Sequence, residues 1–312
     1  MTRILVDCDP GLDDALALLL VLASPELELA GVSAVAGNQT IEKTSENALK
    51  LLELAGRSDI PVVAGAAGPL AGELVLADDA HGETGLGNLV LPPPSARPDD
   101  RPAVDFLADQ LLAGSEPVTI VAVGPLTNLG LLLALRPEAA ERIDRLVLMG
   151  GAIREGNMTP SAEFNIWIDP EAAHRVFSAG LDVTMVGLDV TNRCVLRRAD
   201  AERLRASGPI GSVAAELVDF YLGYYEEAYA HGGAPIHDAL AVAYVLRPEL
   251  LTIETRHVEI ELAGICRGRT VVDMRQRTRL PEPNAHVAVD VDVEGFRELL
   301  VSRLRSLDGP TS

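Results

Sequence analysis

The stretch "ILVDCDPGLDDALALLLVLA", residues 4–23, passes from one apolar run to another through four aspartates, Asp7, Asp9, Asp13 and Asp14. The first run, "RILVDC" (3–8), has the short, unbroken apolar character of a strand buried on both faces. The second, from Asp13 to Ala23, reads as a helix, and Asp13 and Asp14 fall where its dipole favours negative charge. Strand, polar turn and apolar helix in this order open an α/β unit.

The same alternation continues outward. Strands are predicted at 28–37, 61–65, 118–124, 145–151 and 183–189, with helices at 13–23, 41–56, 102–113, 126–135 and 169–179. This pattern predicts an α/β fold with a mainly parallel, Rossmann-like central sheet and helices on both faces. From 195 the chain reads as helical to about 247; 256–264 and 268–276 read as a β-hairpin, 285–292 as a strand and 294–306 as a closing helix. Residues 66–101, rich in Gly, Pro and Asp, form a long loop of the kind that is often functional. No stretch resembles a linker, so one domain over 1–312 is expected.

Composition bounds the partners. Of 312 residues, 48% are hydrophobic, enough for a sizeable core, and the net charge is −20. That charge argues against nucleic acid, which requires Lys and Arg against phosphates, and against an anionic membrane surface. Cys8, Cys194 and Cys266 are far apart and form no CxxC pair, so neither a disulfide framework nor a thiolate zinc site is expected. The N-terminal segment shows no secretory pattern, and the apolar run Ala15–Ala23 is about half the ~20 residues of a membrane span. A soluble cytoplasmic protein is expected.

In open α/β sheets ligands bind beyond the carboxyl ends of the strands. The first strand ends in the aspartate cluster and the second in Gly37 and Asn38. "VGPLTN" (123–128) follows the fourth; "MGGA" (149–152) and then "EFN" (163–165) follow the fifth. Two carboxylates about 4 Å apart repel by roughly 4 kcal/mol at an effective dielectric near 20, and burial would force protons onto several of them. A cation removes the conflict, and oxygen-only ligands select a hard ion, Ca²⁺ or Mg²⁺. The spacing does not fit an EF-hand loop. The plainer reading makes Asp13 and Asp14 helix caps and Asp9 a turn residue, but four aspartates directly after a buried strand exceed what caps need. A distant carboxylate is expected from "APIHDALAVAYVL" (234–246), where Asp238 opens an apolar helix. His237 beside it is a candidate general acid.

Taken in order, "DCDPGLDDALAL", Asn38, "VGPLTN", "MGGA", "EFNIWIDPEAA" (163–173) and "HDALAVAY" (237–244) resemble the calcium-dependent nucleoside hydrolases, the inosine–uridine-preferring family. The resemblance implies that family's α/β fold and hydrolysis of the N-glycosidic bond of ribonucleosides to ribose and free base. It implies Asp9, Asp14 and Asp238 as side-chain calcium ligands, with Val123 lending its backbone carbonyl. Asp13, Asn38, Glu163, Asn165 and Asp238 would hold the ribose hydroxyls, Met149 would lie against the sugar, and Asp7 would support the cluster. Asp9 would take a proton from water, and His237 would protonate the leaving base. Tyr221, Tyr225 and Tyr229 share one helix face; Tyr225 and Tyr229 are the expected helpers of His237, and His81, in "HGETGLG", would cover the base. Trp167 is expected to pack rather than touch substrate. By analogy with the family the chain would form a homodimer or homotetramer.

Two other readings use the same residues. A haloacid-dehalogenase-like, Mg²⁺-dependent phosphatase also places D-x-D after its first strand. It wants a lysine near the phosphoryl group, and the only lysines, Lys43 and Lys50, fall inside a helix. A non-catalytic nucleoside- or sugar-binding protein with structural calcium would not need His237.

Overall fold

The computed structural model describes residues 1–228, 232–277 and 279–309. The first strand, β1 (Thr2–Cys8), is central, hydrogen-bonded in parallel to β2 (Leu27–Ala34) on one side and to β4 (Val118–Ala122) on the other. That position explains its unbroken apolar run: Ile4, Leu5, Val6 and Cys8 are buried because helices cover both sheet faces. Beyond β2 lies β3 (Val62–Ala64); beyond β4 come β5 (Ile143–Met149) and β6 (Val183–Val186). Strand Ala285–Val291 adds in parallel to β6, and strand Leu251–Arg256 closes that edge antiparallel.

This last strand departs from the sequence reading, which had no strand at 251–256. "LTIETR" alternates polar and apolar residues as an edge strand does, and lacks the continuous apolar run that marks the inner strands. The expected hairpin forms from Val258–Ile260 and Thr270–Val272, outside the main sheet. The region after 195 is mostly helical as expected, though a two-stranded pairing of Val195–Leu196 with Ala234–Pro235 interrupts it.

Beyond Asp13 and Asp14 in its first turn, helix α1 (Leu12–Leu22) is apolar all round, and all of it but Leu22 is buried. A helix of this kind must be enclosed rather than lie at the surface. It packs on helix Asp238–Leu246, which is equally apolar. Their adjacency brings the starts of two helices, more than 200 residues apart in the chain, to one end of β1. Among the described residues no helix is long and apolar enough to cross a membrane.

Candidate active site

A cavity of about 580 Å³ opens at the carboxyl ends of the parallel strands. Its floor is acidic. Asp13, Asp14 and Asp238 each bring one oxygen within 4.8 Å of the others, and all three are buried. Asp14 is held by the turn itself: Asp9 N and Gly11 N donate to its two oxygens, each at 3.0 Å, and Asn38 Nδ2 donates at 3.0 Å. The carboxylate of Asp13 faces the backbone N–H groups of His237 and Asp238, where α1 packs on the start of helix Asp238–Leu246. Asp9 accepts Asn38 N on Oδ2 at 2.7 Å, while its Oδ1 is buried with no hydrogen-bond partner. A β-carbon on Gly124 would lie 2.6 Å from that oxygen, so the second residue of "VGPLTN" must be glycine for the strand end to approach Asp9.

Burial raises the pKa of all four carboxyls, and neighbouring carboxylates raise Asp13, Asp9 and Asp238 further: Asp13 to about 7, Asp14 upward, and Asp9 and Asp238 well above the usual carboxylate range. Concentrated like charge, an orphaned buried oxygen and a donor set of oxygens alone fit a hard divalent cation. Behind the cluster, Asp7 accepts hydrogen bonds from Ser33 Oγ and, at 2.8 Å, from Asn128 Nδ2; burial raises its pKa to about 6. Asn128 also donates to Ala34 O at 3.0 Å and accepts Ala66 N at 2.8 Å, tying the ends of β1, β2 and β3 together.

One wall carries polar groups from the next strands. Glu163 caps the short helix Phe164–Ile168, accepting Asn165 N at 2.9 Å on Oε1, with Oε2 taking Gly151 N at 2.9 Å and Ile166 N at 3.1 Å. Asn165 Nδ2 donates to the carbonyls of Val123 (2.8 Å) and Met149 (3.1 Å). Asn38, Val123, Met149, Glu163 and Asn165 all line the cavity, as do Asp13 and Asp238.

Another part of the lining is aromatic. His237 Nε2 lies 3.2 Å from Tyr225 Oη, and its Nδ1 lies 2.8 Å from the hydroxyl of buried Thr191. The rings of Tyr225 and Tyr221 meet edge to face, centroids 5.0 Å apart, and Tyr221 in turn faces His81 at 5.8 Å. His81 is buried, and its Nδ1 accepts Leu12 N at 3.0 Å. Burial, followed by the neighbouring His237, lowers its pKa to about 3, so the ring is neutral and carries its proton on Nε2.

Residues 4–298 match the family described as inosine-uridine preferring nucleoside hydrolase. The chain is 50% identical over 305 residues to the pyrimidine-specific ribonucleoside hydrolase RihA of Salmonella agona (strain SL483), covering 97% of this chain and 98% of the relative. The chain belongs to the inosine-uridine preferring nucleoside hydrolase family. RihA of Escherichia coli O9:H4 (strain HS) matches to the same extent. Among solved structures, a purine-preferring ribonucleoside hydrolase from Gardnerella vaginalis superposes with a TM-score of 0.93 at 34% identity, over 98% of this chain and 99% of that one.

This nucleoside hydrolase is therefore a hydrolase of N-glycosyl bonds with the family's α/β fold. The family generally binds a metal ion, and the chain has an acidic cluster suited to one. The phosphatase alternative is not favoured: Lys43 is engaged by Gln39 and the Glu83 carbonyl, Lys50 pairs with Glu46, and neither lines the cavity. Trp167 lies outside the cavity, in a groove with Glu171 and Arg267. Tyr229 lies outside the described residues. One residue behind His237 escaped the sequence reading. Thr191, in "LDVTNR", has no pattern that marks it. Tyr221 shares the helix face of Tyr225, and its nearness to both Tyr225 and His81 distinguishes it.

Proposed function

We propose that this chain hydrolyses pyrimidine ribonucleosides to ribose and free base, with calcium in the acidic floor. The observation that carries the reading is the meeting, in one cavity, of clustered carboxylates and a His–Tyr pair. Pyrimidine preference rests on the 50% identical relatives, which are named pyrimidine-specific.

Asp9, Asp14 and Asp238 would hold the ion through side chains and Val123 through its carbonyl. When bound, calcium orients a water and makes it more acidic. Asp9 would serve as the general base; Asn38 N holds its Oδ2, and its Oδ1 has no hydrogen-bond partner. Asp13, Asn38, Glu163 and Asn165, together with Asp238, bind the ribose hydroxyls, and Met149 lies against the sugar. Cleavage of the C–N bond builds positive charge on the ribose ring, which the surrounding carboxylates stabilise. The base departs poorly as an anion. His237 supplies its proton, with Tyr225 hydrogen-bonded to the same imidazole and Thr191 holding the other nitrogen. His81 Nε2–H covers the substrate from the loop side. The enzyme would act in the cytoplasm, as a homodimer or homotetramer and as one domain over 1–312.

The test is a panel of uridine, cytidine, inosine and adenosine incubated with purified protein and calcium, with ribose and free base quantified. Ribose release led by uridine and cytidine is expected. Release from none of the four would overturn the reading, and inosine or adenosine far ahead would overturn the pyrimidine assignment.

A further inference from the structure

Helix α2 (Ile41–Leu54) contributes no residue to the cavity, yet one of its faces is spent on the loop that carries His81. Gln39, just before the helix, and then Lys43 and Asn47 follow one another at intervals of four, so their side chains stack along one side. Gln39 Nε2 donates to Gly82 O at 2.9 Å, Lys43 Nζ donates to Glu83 O, and Asn47 Nδ2 donates to Thr84 O at 2.8 Å. Three consecutive loop carbonyls, directly after His81, are thus each taken by a side chain one turn further along.

Asn47 does more than its two neighbours. Its Nδ2 also donates to Pro10 O, at 3.0 Å, in the turn between Asp9 and Asp13. A carboxamide nitrogen has two hydrogens, and here each holds a different segment. Those two segments meet again where Leu12 N donates to His81 Nδ1 at 3.0 Å. The contact is tight: a β-carbon on Gly11 would lie 2.4 Å from His81 Nδ1. Asn47 is buried at 2% exposure.

We propose that Asn47 is a positioning residue for the hydrolysis: by joining Pro10 O to Thr84 O it fixes His81 over the cavity with the ring proton on Nε2. The proposal rests on the reading of His81 as a substrate contact. Helix α2 itself does not depend on Asn47 for its place, because Ala48, Leu51 and Leu52 are buried in the core beside it. Loss of the amide therefore unties Thr84 from Pro10 and loosens the segment after His81, while the sheet and α1 stay packed. The His81 ring then loses its fixed acceptor role toward Leu12 N, and its two neutral tautomers mix.

The experiment is a double-mutant cycle on the full chain with calcium, reading kcat/KM for uridine in wild type, Asn47→Ala, His81→Ala and the double variant. Misplacement of a contact group by about 1 Å costs on the order of a hundredfold, so Asn47→Ala is expected to lose about ten- to a hundredfold. In the His81→Ala background the same substitution is expected to cost less than about twofold, because its route to the substrate is already gone. The ring-nitrogen NMR signals of His81, those of one tautomer in wild type, are expected to move toward a two-tautomer average in Asn47→Ala. Equal losses in both backgrounds, or no loss in either, would overturn the proposal. Full activity of His81→Ala would overturn the reading of His81 and the proposal with it. Should Asn47→Ala fail to fold, Lys43→Met, at an exposed position of the same face, serves in its place. Its loss is expected to be about threefold and to vanish in the His81→Ala background; a loss that persists there would overturn the proposal.

Discussion

Calcium is expected to stabilise this protein much more at pH 7.5 than at pH 4.5, because its site is built from carboxyls that prefer their protons when the ion is absent. Burial and Asp14 raise Asp13 from the ordinary 3.8 to about 7. A carboxyl with a raised folded-state pKa contributes stability that is fully present below 3.8 and is lost as pH rises through about 7. Between pH 4.5 and 7 that loss amounts to about 3 kcal/mol at 1.36 kcal/mol per unit. Asp9 and Asp238, raised further, act in the same direction. His81 acts in the opposite one. Its pKa is lowered from 6.5 to about 3, so its contribution is present above 6.5 and falls away as pH drops, by about 3 kcal/mol at pH 4.5. Asp99 and Asp273, lowered to about 2 by their arginine partners, change only below about pH 4. His81 is common to the calcium-bound and calcium-free protein, so the difference between them isolates the carboxyls. Since the ion binds the ionised forms, the stabilisation by saturating calcium should grow by at least about 3 kcal/mol from pH 4.5 to 7.5. Scanning calorimetry of chelated and calcium-loaded protein across this range measures it. Equal stabilisation at both pH values, or a larger one at pH 4.5, would refute the reasoning.

Three further outcomes are expected. Gly124→Ala forces a methyl against Asp9 Oδ1, 2.6 Å away, and should weaken calcium binding at least about tenfold by isothermal titration with the fold intact; unchanged affinity would remove Asp9 from the ion's surroundings. His237→Ala should lower uridine cleavage by about a hundredfold or more, yet barely affect a riboside with an already activated leaving group; equal losses on both substrates would refute its acid role. Thr191→Val keeps the shape but strips the hydroxyl from His237 Nδ1, and should lower kcat by about tenfold with KM little changed; a change confined to KM would argue against an orienting role.

Much of the fold was legible in β1, the aspartate turn and α1, because a strand buried on both faces and a helix buried all round leave unbroken apolar runs. The parallel core follows from repeats of that signature. Strand Leu251–Arg256 was not legible, since an edge strand half in solvent resembles the loops around it. In the site, carboxylates were readable individually because charge at the rim of a core is conspicuous. Asp238 could be named as their distant partner from its place at the start of an apolar helix, while the contact that joins them, α1 packing on helix Asp238–Leu246, is a tertiary fact. Thr191, Asn47 and Asn128 are uncharged residues in ordinary helical surroundings. Their importance lies in which backbone or ring atoms they reach, and only the folded chain supplies those partners.

The central claim is that the acidic floor works by holding a hard cation. Its most direct test follows uridine cleavage while the ion is stripped with a calcium chelator and then returned, with metal content measured throughout. The expected result is loss of ribose release as the metal leaves, and its return in proportion to calcium up to one ion per chain. Full turnover by protein shown to contain no metal would contradict it.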